Sequence, residues 1–444
     1  MQAGSDCATA CQGGNIALLA TNTIAQGDTR EIGLDRVSEQ GWSIPRAVKS
    51  RPWPGDASLE IAQVWLHNGR WEGSISLDGQ AVGKVTSALG AATRVSGPAH
   101  RLLMPKMSFE GSKPNCIGFV ISAAEAAALR EQHPTATEII APYLNGEDLN
   151  SRPDCSASRY IINFRNWPLA RAEEYGDCLQ LLRERVLPEV AQKGSAYAGW
   201  QERWWQFWRV RDDLYSAIEG MERVLVIARV SKTVLPVFAP VGLVYSDATA
   251  CFAYDDDAHF GLLTSAFHYW WAVTRASTLE TRIRYTPSDC FETFPQPELT
   301  EAVHRAGGAL DLHRRQLMLD RWEGLTATYN RVHNPKEEAA DMAELRRFHV
   351  ELDLAVAAAY GWEDLELDHD FWETRQGTRF TVGPEARTEL LDRLLELNHA
   401  RHAAGVDVGI AADYRRTRPR TASRQRGPGN QPQLPEMQMS FEDV

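Results

Sequence analysis

Arg223, Arg229 and Lys232 stand in a run, continuing to Ser246, that contains no acidic residue. With Ser231 and Thr233 between and beside them, such cations suit phosphate oxygens or the acceptor edges of bases. A solvated strand edge would carry the same residues, so two readings stand. Arg275, Thr278, Arg282, Arg284 and Tyr285 form a second group. Arg282 and Arg284 flank Ile283, and on a strand both would share one face. Two guanidiniums on one face repel unless an anion meets them; Glu280 is the local alternative that would neutralise one of them. A third group is Asn22, Gln26 and Arg30, just after a strand-like run, with Trp53 held between Pro52 and Pro54 further on. In open α/β sheets the carboxyl edge of the strands faces the ligand crevice. The loop then borders a ligand, or it is a polar turn capping the next helix. Trp53 either stacks on a flat ligand or packs in its turn.

These groups describe surfaces that hold anions and rings, and the sequence offers little for bond-making. There is no G-x-G-x-x-G, no G-x-x-x-x-G-K-[ST], no H-E-x-x-H, no G-x-S-x-G and no paired C-x-x-C. Cys7 and Cys11 are a lone pair, and no metal site is expected. None of the seven Lys has an acid two residues before it, so the D/E-x-K half of a common nuclease motif is missing too.

The elements that position the groups can be read from patterning. Residues 15–24 read as a buried strand, 31–40 as a short helix ending at Gly41, 44–48 and 59–66 as strands, and Asp78-Gly79 as a hairpin turn. Helices are expected over 123–132, 170–189 and 260–276, a loop over 142–150, and strands over 160–164, 224–229, 234–237 and 242–246. Trp200, Trp204, Trp205 and Trp208 fall on one helical face, read as packing in preference to a stacking platform. From 299 to 402 the chain reads as helical, with faces Leu312/Leu319/Trp322, Leu345/Phe348/Leu352/Val356 and Leu390/Leu391/Leu394/Leu395/Leu397. Six Arg and no acid between Arg415 and Arg426 mark a disordered basic tail.

Composition fits a soluble globular protein, with 43% hydrophobic and 24% charged residues and no run apolar enough to span a membrane. An odd, scattered set of seven cysteines and a start without a basic-then-apolar signal point to a reducing cytoplasm. The net charge is −12, but it is unevenly placed. Residues 336–373 hold twelve acids and three Lys or Arg, a net −9, which leaves −3 for the rest. Acidity therefore does not exclude a polyanionic partner. The cations are 40 Arg against 7 Lys. GC-rich coding explains that bias, and so would recognition of guanine edges or phosphates.

Three phrases carry a family resemblance. The first is ATNTIAQGDTR at 20–30 with SRPWPGDA at 50–57. The second is APYLNGEDLN at 141–150, followed by YIINF at 160–164. The third is GLLTSAFHYWW at 261–271, running on to STLETRIRYTPSDCF at 277–291. In order and spacing, over roughly residues 10–402, they resemble the large adenine-specific DNA methyltransferases of the MmeI-like, type IIL restriction–modification kind. The resemblance implies an α/β fold: a partial S-adenosylmethionine-methyltransferase-like sheet, a mixed α/β target recognition domain, and an α-helical C-terminal region. The implied boundaries are 1–92 for the remnant of the methylase domain, 93–298 for the target recognition domain, 299–404 for the helical domain and 405–444 for the tail.

The family's catalytic N-P-P-[YF] and its Gly-rich cofactor motif are absent; the sequence has no Pro-Pro dipeptide at all. Those residues would lie before Met1. The expectation is a DNA-recognising C-terminal part that binds no cofactor and does not methylate alone, S-adenosylmethionine belonging to the complete family enzyme. The alternative is a standalone specificity subunit with a separate methylase chain. The implied partner is double-stranded DNA, because an adenine must be flipped out for methylation while sequence is read in the major groove. DNA contacts are expected from Arg223, Arg229, Lys232, Arg275, Thr278, Arg282, Arg284 and Tyr285, with Asn22, Gln26, Arg30 and Trp53 bordering the flipped base.

Overall fold

The computed structural model describes residues 13–25, 27–54, 59–87, 89–90, 94–95, 97–279, 282–374 and 376–407. It is a mixed α/β structure. The expected tail and Gln26 lie outside the described residues.

The first sheet contains β1 (Asn15–Thr21), β2 (Trp42–Pro52), β3 (Glu60–Asn68), β4 (Ile75–Leu77) and β5 (Gln80–Val82), in the order β1-β3-β2-β4-β5. β3 runs antiparallel to both β1 and β2, so those two are parallel to each other. Ala62, Val64 and Leu66 of β3 bury the sheet's inner face. The outer edge of β1 has no strand against it among the described residues, and Leu19 on β1 is 58% exposed. The helical connection to β2 starts at Gly27, earlier than its apolar pattern suggested, and passes through a π-helical turn at Glu31–Asp35. It stops at Gly41, whose φ of +89° suits glycine. Asp78 and Gly79 take φ of +51° and +82°, the pair a tight hairpin turn requires.

The middle of the chain builds three small sheets. β12 (Val237–Pro240), β10 (Arg223–Ala228), β14 (Thr249–Phe252) and β6 (Ser108–Glu110) pair in that order. β13 (Val244–Tyr245), β8 (Ile140–Leu144), β9 (Arg159–Ile162) and β7 (Val120–Ile121) form the second. β11 (Val230–Ser231), β16 (Arg282–Arg284) and β15 (Ser277–Leu279) form the third.

Several expected elements are corrected here. The expected loop at 142–150 is the end of β8 and a helix, Gly146–Ser151. The Asn145 side chain accepts from the Glu147 and Asp148 amides while Asp148 reaches back to Asn145, a capping box hidden in loop-like composition. The expected helix 170–189 breaks into Leu169–Ala172, Gly176–Arg185 and Leu187–Ala191. The expected 260–276 helix is two, Asp257–Thr264 and Ala266–Arg275, parted at Ser265, whose hydroxyl caps the second. The tryptophan run is not one helical face, since only Ala198–Gln201 is helical there; Trp200, Trp204 and Trp205 are buried, as packing requires.

The C-terminal region has helices Glu301–Arg321, Leu325–Val332, Ala340–Ala359 and Pro384–Asp407, with an unexpected hairpin of β17 (Asp370–Thr374) and β18 (Gly377–Thr381). The Leu345/Leu352/Val356 face is buried, but Leu312, Leu319 and Trp322 are exposed. The first long helix buries Val303, Leu310 and Leu317 instead, a stripe with the same seven-residue spacing, which periodicity cannot tell apart from the other. One hydrophobic core runs from Phe109 through β10 and β14 into these helices, across residue 298. At its centre Gly261 and Gly307 meet backbone to backbone; a Cβ on Gly307 would lie 2.2 Å from the Asp257 carbonyl oxygen.

Candidate nucleic-acid interface

Arg229 follows directly on β10, where the strand hands over to β11. Its Nη2 lies 2.9 Å from Glu110 Oε1, and its Nη1 donates to the Asp247 carbonyl at 2.9 Å. The other Glu110 oxygen takes Arg211 Nη2 at 2.5 Å. Lys113 and Arg209 exchange backbone hydrogen bonds of 2.9 and 3.1 Å, which brings two distant segments side by side. Their cationic heads both sit over the Trp208 ring, at 5.2 and 4.7 Å from its centroid. Lys113 also lies 3.7 Å from Asp247.

This seam therefore holds four cations, Lys113, Arg209, Arg211 and Arg229, against two carboxylates, Glu110 and Asp247. Arg209 is exposed and makes no ion pair among the described residues. Arg229, 14% exposed, is held by its two partners, whereas exposed Arg209 and the loosely paired Lys113 can meet an incoming polyanion at little cost.

Lys232 and Arg284 adjoin the seam, and both are exposed. Arg284 pairs with Val230 across β11 and β16, while Ile283 beside it is buried. The Tyr285 amide donates to the Arg229 carbonyl at 2.7 Å, which ties the end of β16 to the β10–β11 junction. Arg282 and Thr278 lie in β16 and β15, paired with Leu279 and Ile283 respectively.

The other expected contacts are placed elsewhere. Arg223 is at the opposite end of β10, where it bonds the Asp255 carbonyl and the Asp257 carboxylate and covers the Phe238 ring. Six residues of strand span about 20 Å, so one phosphate cannot meet both Arg223 and Arg229. Arg275 lies over the Trp271 ring, and burial together with the nearby Arg30 cation lowers its pKa to about 10. Its neighbours are Arg30 and Asp35, so it faces the first sheet's unit.

Tyr285 is a core residue. Its hydroxyl meets His268 Nε2 at 2.9 Å, and His268 Nδ1 lies 2.8 Å from the Leu263 carbonyl. A carbonyl only accepts, so Nδ1 carries the proton and Nε2 receives the tyrosine hydroxyl. Burial pushes the His268 pKa down to about 4, which keeps the ring neutral. Tyr285 therefore shapes the sheet under Arg284 and has no open face for a base.

In the first sheet, buried Asn22 donates to Ser50 at 3.1 Å and buried Arg30 pairs with Asp35 at 3.1 Å. Both hold their own turn in place. Trp53 is 39% exposed, its amide bonded to Leu59.

Sequence reading missed Lys113, Trp208, Arg209 and Arg211. A signal was present: Arg209 and Arg211 flank buried Val210, the same alternation seen at Arg282-Ile283-Arg284. No sequence pattern brings Lys113 and Glu110 to them, because those residues arrive from β6, about a hundred positions away. Among the described residues no group of His, Cys, Asp and Glu could hold a metal ion.

Residues 96–298 match a family model described as the MmeI target recognition domain. The structure superposes on the type IIL restriction–modification enzyme MmeI, solved in complex with DNA, with a TM-score of 0.69 and 18% identity. That match covers 90% of this chain and 51% of the other, so this chain spans about half the length of MmeI. The type IIG restriction endonuclease BpuSI aligns with a TM-score of only 0.28 at 10% identity, over 79% of this chain and 48% of that one, and carries no argument. No curated protein matches the sequence significantly.

Proposed function

We propose, on the premise that residues 96–298 are an MmeI-type target recognition domain, that this chain reads double-stranded DNA. It acts as the specificity-bearing part of a site-specific N6-adenine methyltransferase in a restriction–modification or phage-defence system of the cytoplasm. No described helix is long and apolar enough to cross a membrane. The observation that carries the reading is the seam of Lys113, Arg209, Arg211 and Arg229 around Trp208, inside the matched segment and continuous with Lys232 and Arg284. Arginines there can contact phosphates and reach guanine edges bidentately.

Methyl transfer belongs to residues outside this chain. Asn22 and Arg30, which would border a flipped base, are engaged with Ser50 and Asp35. The open edge of β1, with Leu19 58% and Ile32 69% exposed, favours a methylase half or a separate methylase subunit covering that side.

An electrophoretic shift assay with a salt titration tests the DNA reading. Affinity should fall steeply with salt, and Arg229→Ala and Arg282→Ala should each cost ~1–3 kcal/mol if they read bases. Binding without salt dependence, or unchanged affinity in both variants, would sink it. Incubation of the purified chain with labelled S-adenosylmethionine and DNA should give no transfer; methylated product would refute the division of labour.

A further inference from the structure

A cavity of about 50 Å³ lies where helices Asp257–Thr264 and Ala266–Arg275 meet helix Leu325–Val332 and β18. That is room for on the order of three to five water-sized centres, or one small oxyanion. Its wall carries four polar atoms that are buried without a protein hydrogen-bond partner: Thr264 Oγ1, Tyr269 Oη, His333 Nε2 and Arg379 Nε. Thr264, Tyr269 and Arg379 are each more than nine-tenths buried. All four can donate. The Phe380 amide lies 3.2 Å from His333 Nδ1, so that nitrogen accepts and Nε2 carries the proton.

The wall carries one guanidinium, Arg379, and one carboxylate, Asp353, while Arg346 and Arg387 act on its residues His333 and Tyr269 from behind. Arg379 makes one long bond, 3.3 Å, to the Lys232 carbonyl. Arg346 bonds four backbone carbonyls and Arg387 covers the Trp270 ring. None of these three arginines makes an ion pair among the described residues. The one carboxylate on the wall, Asp353, is already engaged: Oδ1 accepts the Ala266 amide at 2.8 Å and Oδ2 pairs with His369 at 2.8 Å. A buried guanidinium without a counter-ion is costly, and it is stabilised by an anion that also uses its hydrogen-bond fork.

We propose that this cavity is a binding site for a small phosphate-class oxyanion, held by Arg379, His333, Tyr269 and Thr264, at the junction of the recognition domain and the C-terminal helices. Arg379 also holds the Lys232 carbonyl, so the bound anion braces the basic turn from behind. The site stands on its own geometry and does not depend on the DNA-binding reading.

Calorimetric titration of the full chain with inorganic phosphate, against chloride at matched ionic strength, tests it. Wild type should show saturable binding and a matching rise in melting temperature. Arg379→Gln should weaken binding about tenfold or more, and Tyr269→Phe and Thr264→Val by several-fold each, as loss of charge-assisted or neutral hydrogen bonds implies. If Arg379→Gln does not fold, the two milder variants carry the comparison. An absence of saturable binding in wild type, or equal affinity in all folded variants, would overturn the proposal and leave water as the occupant.

Discussion

Two sets of arginines divide this molecule. In the seam, Arg211 and Arg229 share one glutamate, Lys113 and Arg209 bracket a tryptophan, and Arg209 is exposed without an ion pair among the described residues. Around the cavity, buried Arg379 and half-buried Arg346 and Arg387 sit among aromatic rings and carbonyls, with no acid paired to them among the described residues. The same residue type serves two ends. At a wet surface an arginine is a loosely held charge whose exchange is cheap; in a dry one it fixes whatever can satisfy it.

The contrast can be broken experimentally. The largest effect on DNA should come from Arg209→Ala combined with Arg229→Ala. Affinity should fall by roughly ten- to a thousandfold, and the salt slope should shrink by about one for each phosphate no longer neutralised. The melting temperature should hardly move; a large drop would show that the seam is structural.

The interior should instead answer to acid. Burial holds His268 and His349 near a pKa of about 4, against the ordinary 6.5, and lowers His333 as well. These rings stay neutral in the fold, while an unfolded chain takes up their protons first. The stability they provide is complete above pH 6.5 and is lost progressively as pH falls towards 4. Thermal melts across that window should show the loss, and a flat profile would contradict it.

A smaller change separates the two regions at one residue. Tyr285→Phe leaves His268 Nε2 buried without a donor and should cost ~1–3 kcal/mol of stability in denaturant titration. DNA affinity should be unchanged, since the hydroxyl faces inward. The smallest effect is expected from Glu110→Gln, which frees Arg211 and Arg229 of their shared counter-charge. DNA binding should tighten by less than about tenfold at low salt and converge with wild type at high salt. Weaker binding in that variant would mean the glutamate positions the arginines for contact.

Much of the fold was legible. The Asp78-Gly79 turn, the helix over 123–132 and the Leu345/Leu352/Val356 face each rest on a local rule. What failed had physical causes of one kind, a competition that local patterning does not resolve. Two apolar stripes, each repeating every seven residues, run along helix Glu301–Arg321, and only packing chooses between them. A capping box at Asn145 sits inside loop-like composition. At the candidate interface, Arg229 and Lys232 stand close in sequence, and the pairing of β11 with β16 brings Arg284 beside them. Arg223 belongs to the same run but sits at the far end of the strand. Tyr285 follows an exposed arginine yet lies in the core, because it shares the inward face of buried Ile283 two residues before it. Lys113 and Glu110 were invisible, since tertiary pairing alone brings β6 to β14.

The close approach of Gly261 and Gly307 bears on how such a protein could acquire new specificities. With the Asp257 carbonyl only 2.2 Å from where its side chain would begin, Gly307 tolerates no substitution without moving a helix, and at Gly261 a Cβ would meet Leu352 at 2.9 Å and the Gly307 backbone at 3.2 Å. The segment that matches the recognition-domain model and the helices that follow it are thus locked together by main chain. Grafting residues 96–298 alone into a relative would carry one glycine and leave the other behind. The unit of inheritance, or of a working chimaera, is then the recognition domain together with its helical bed, and a crossover is better tolerated ahead of residue 96 than at 298.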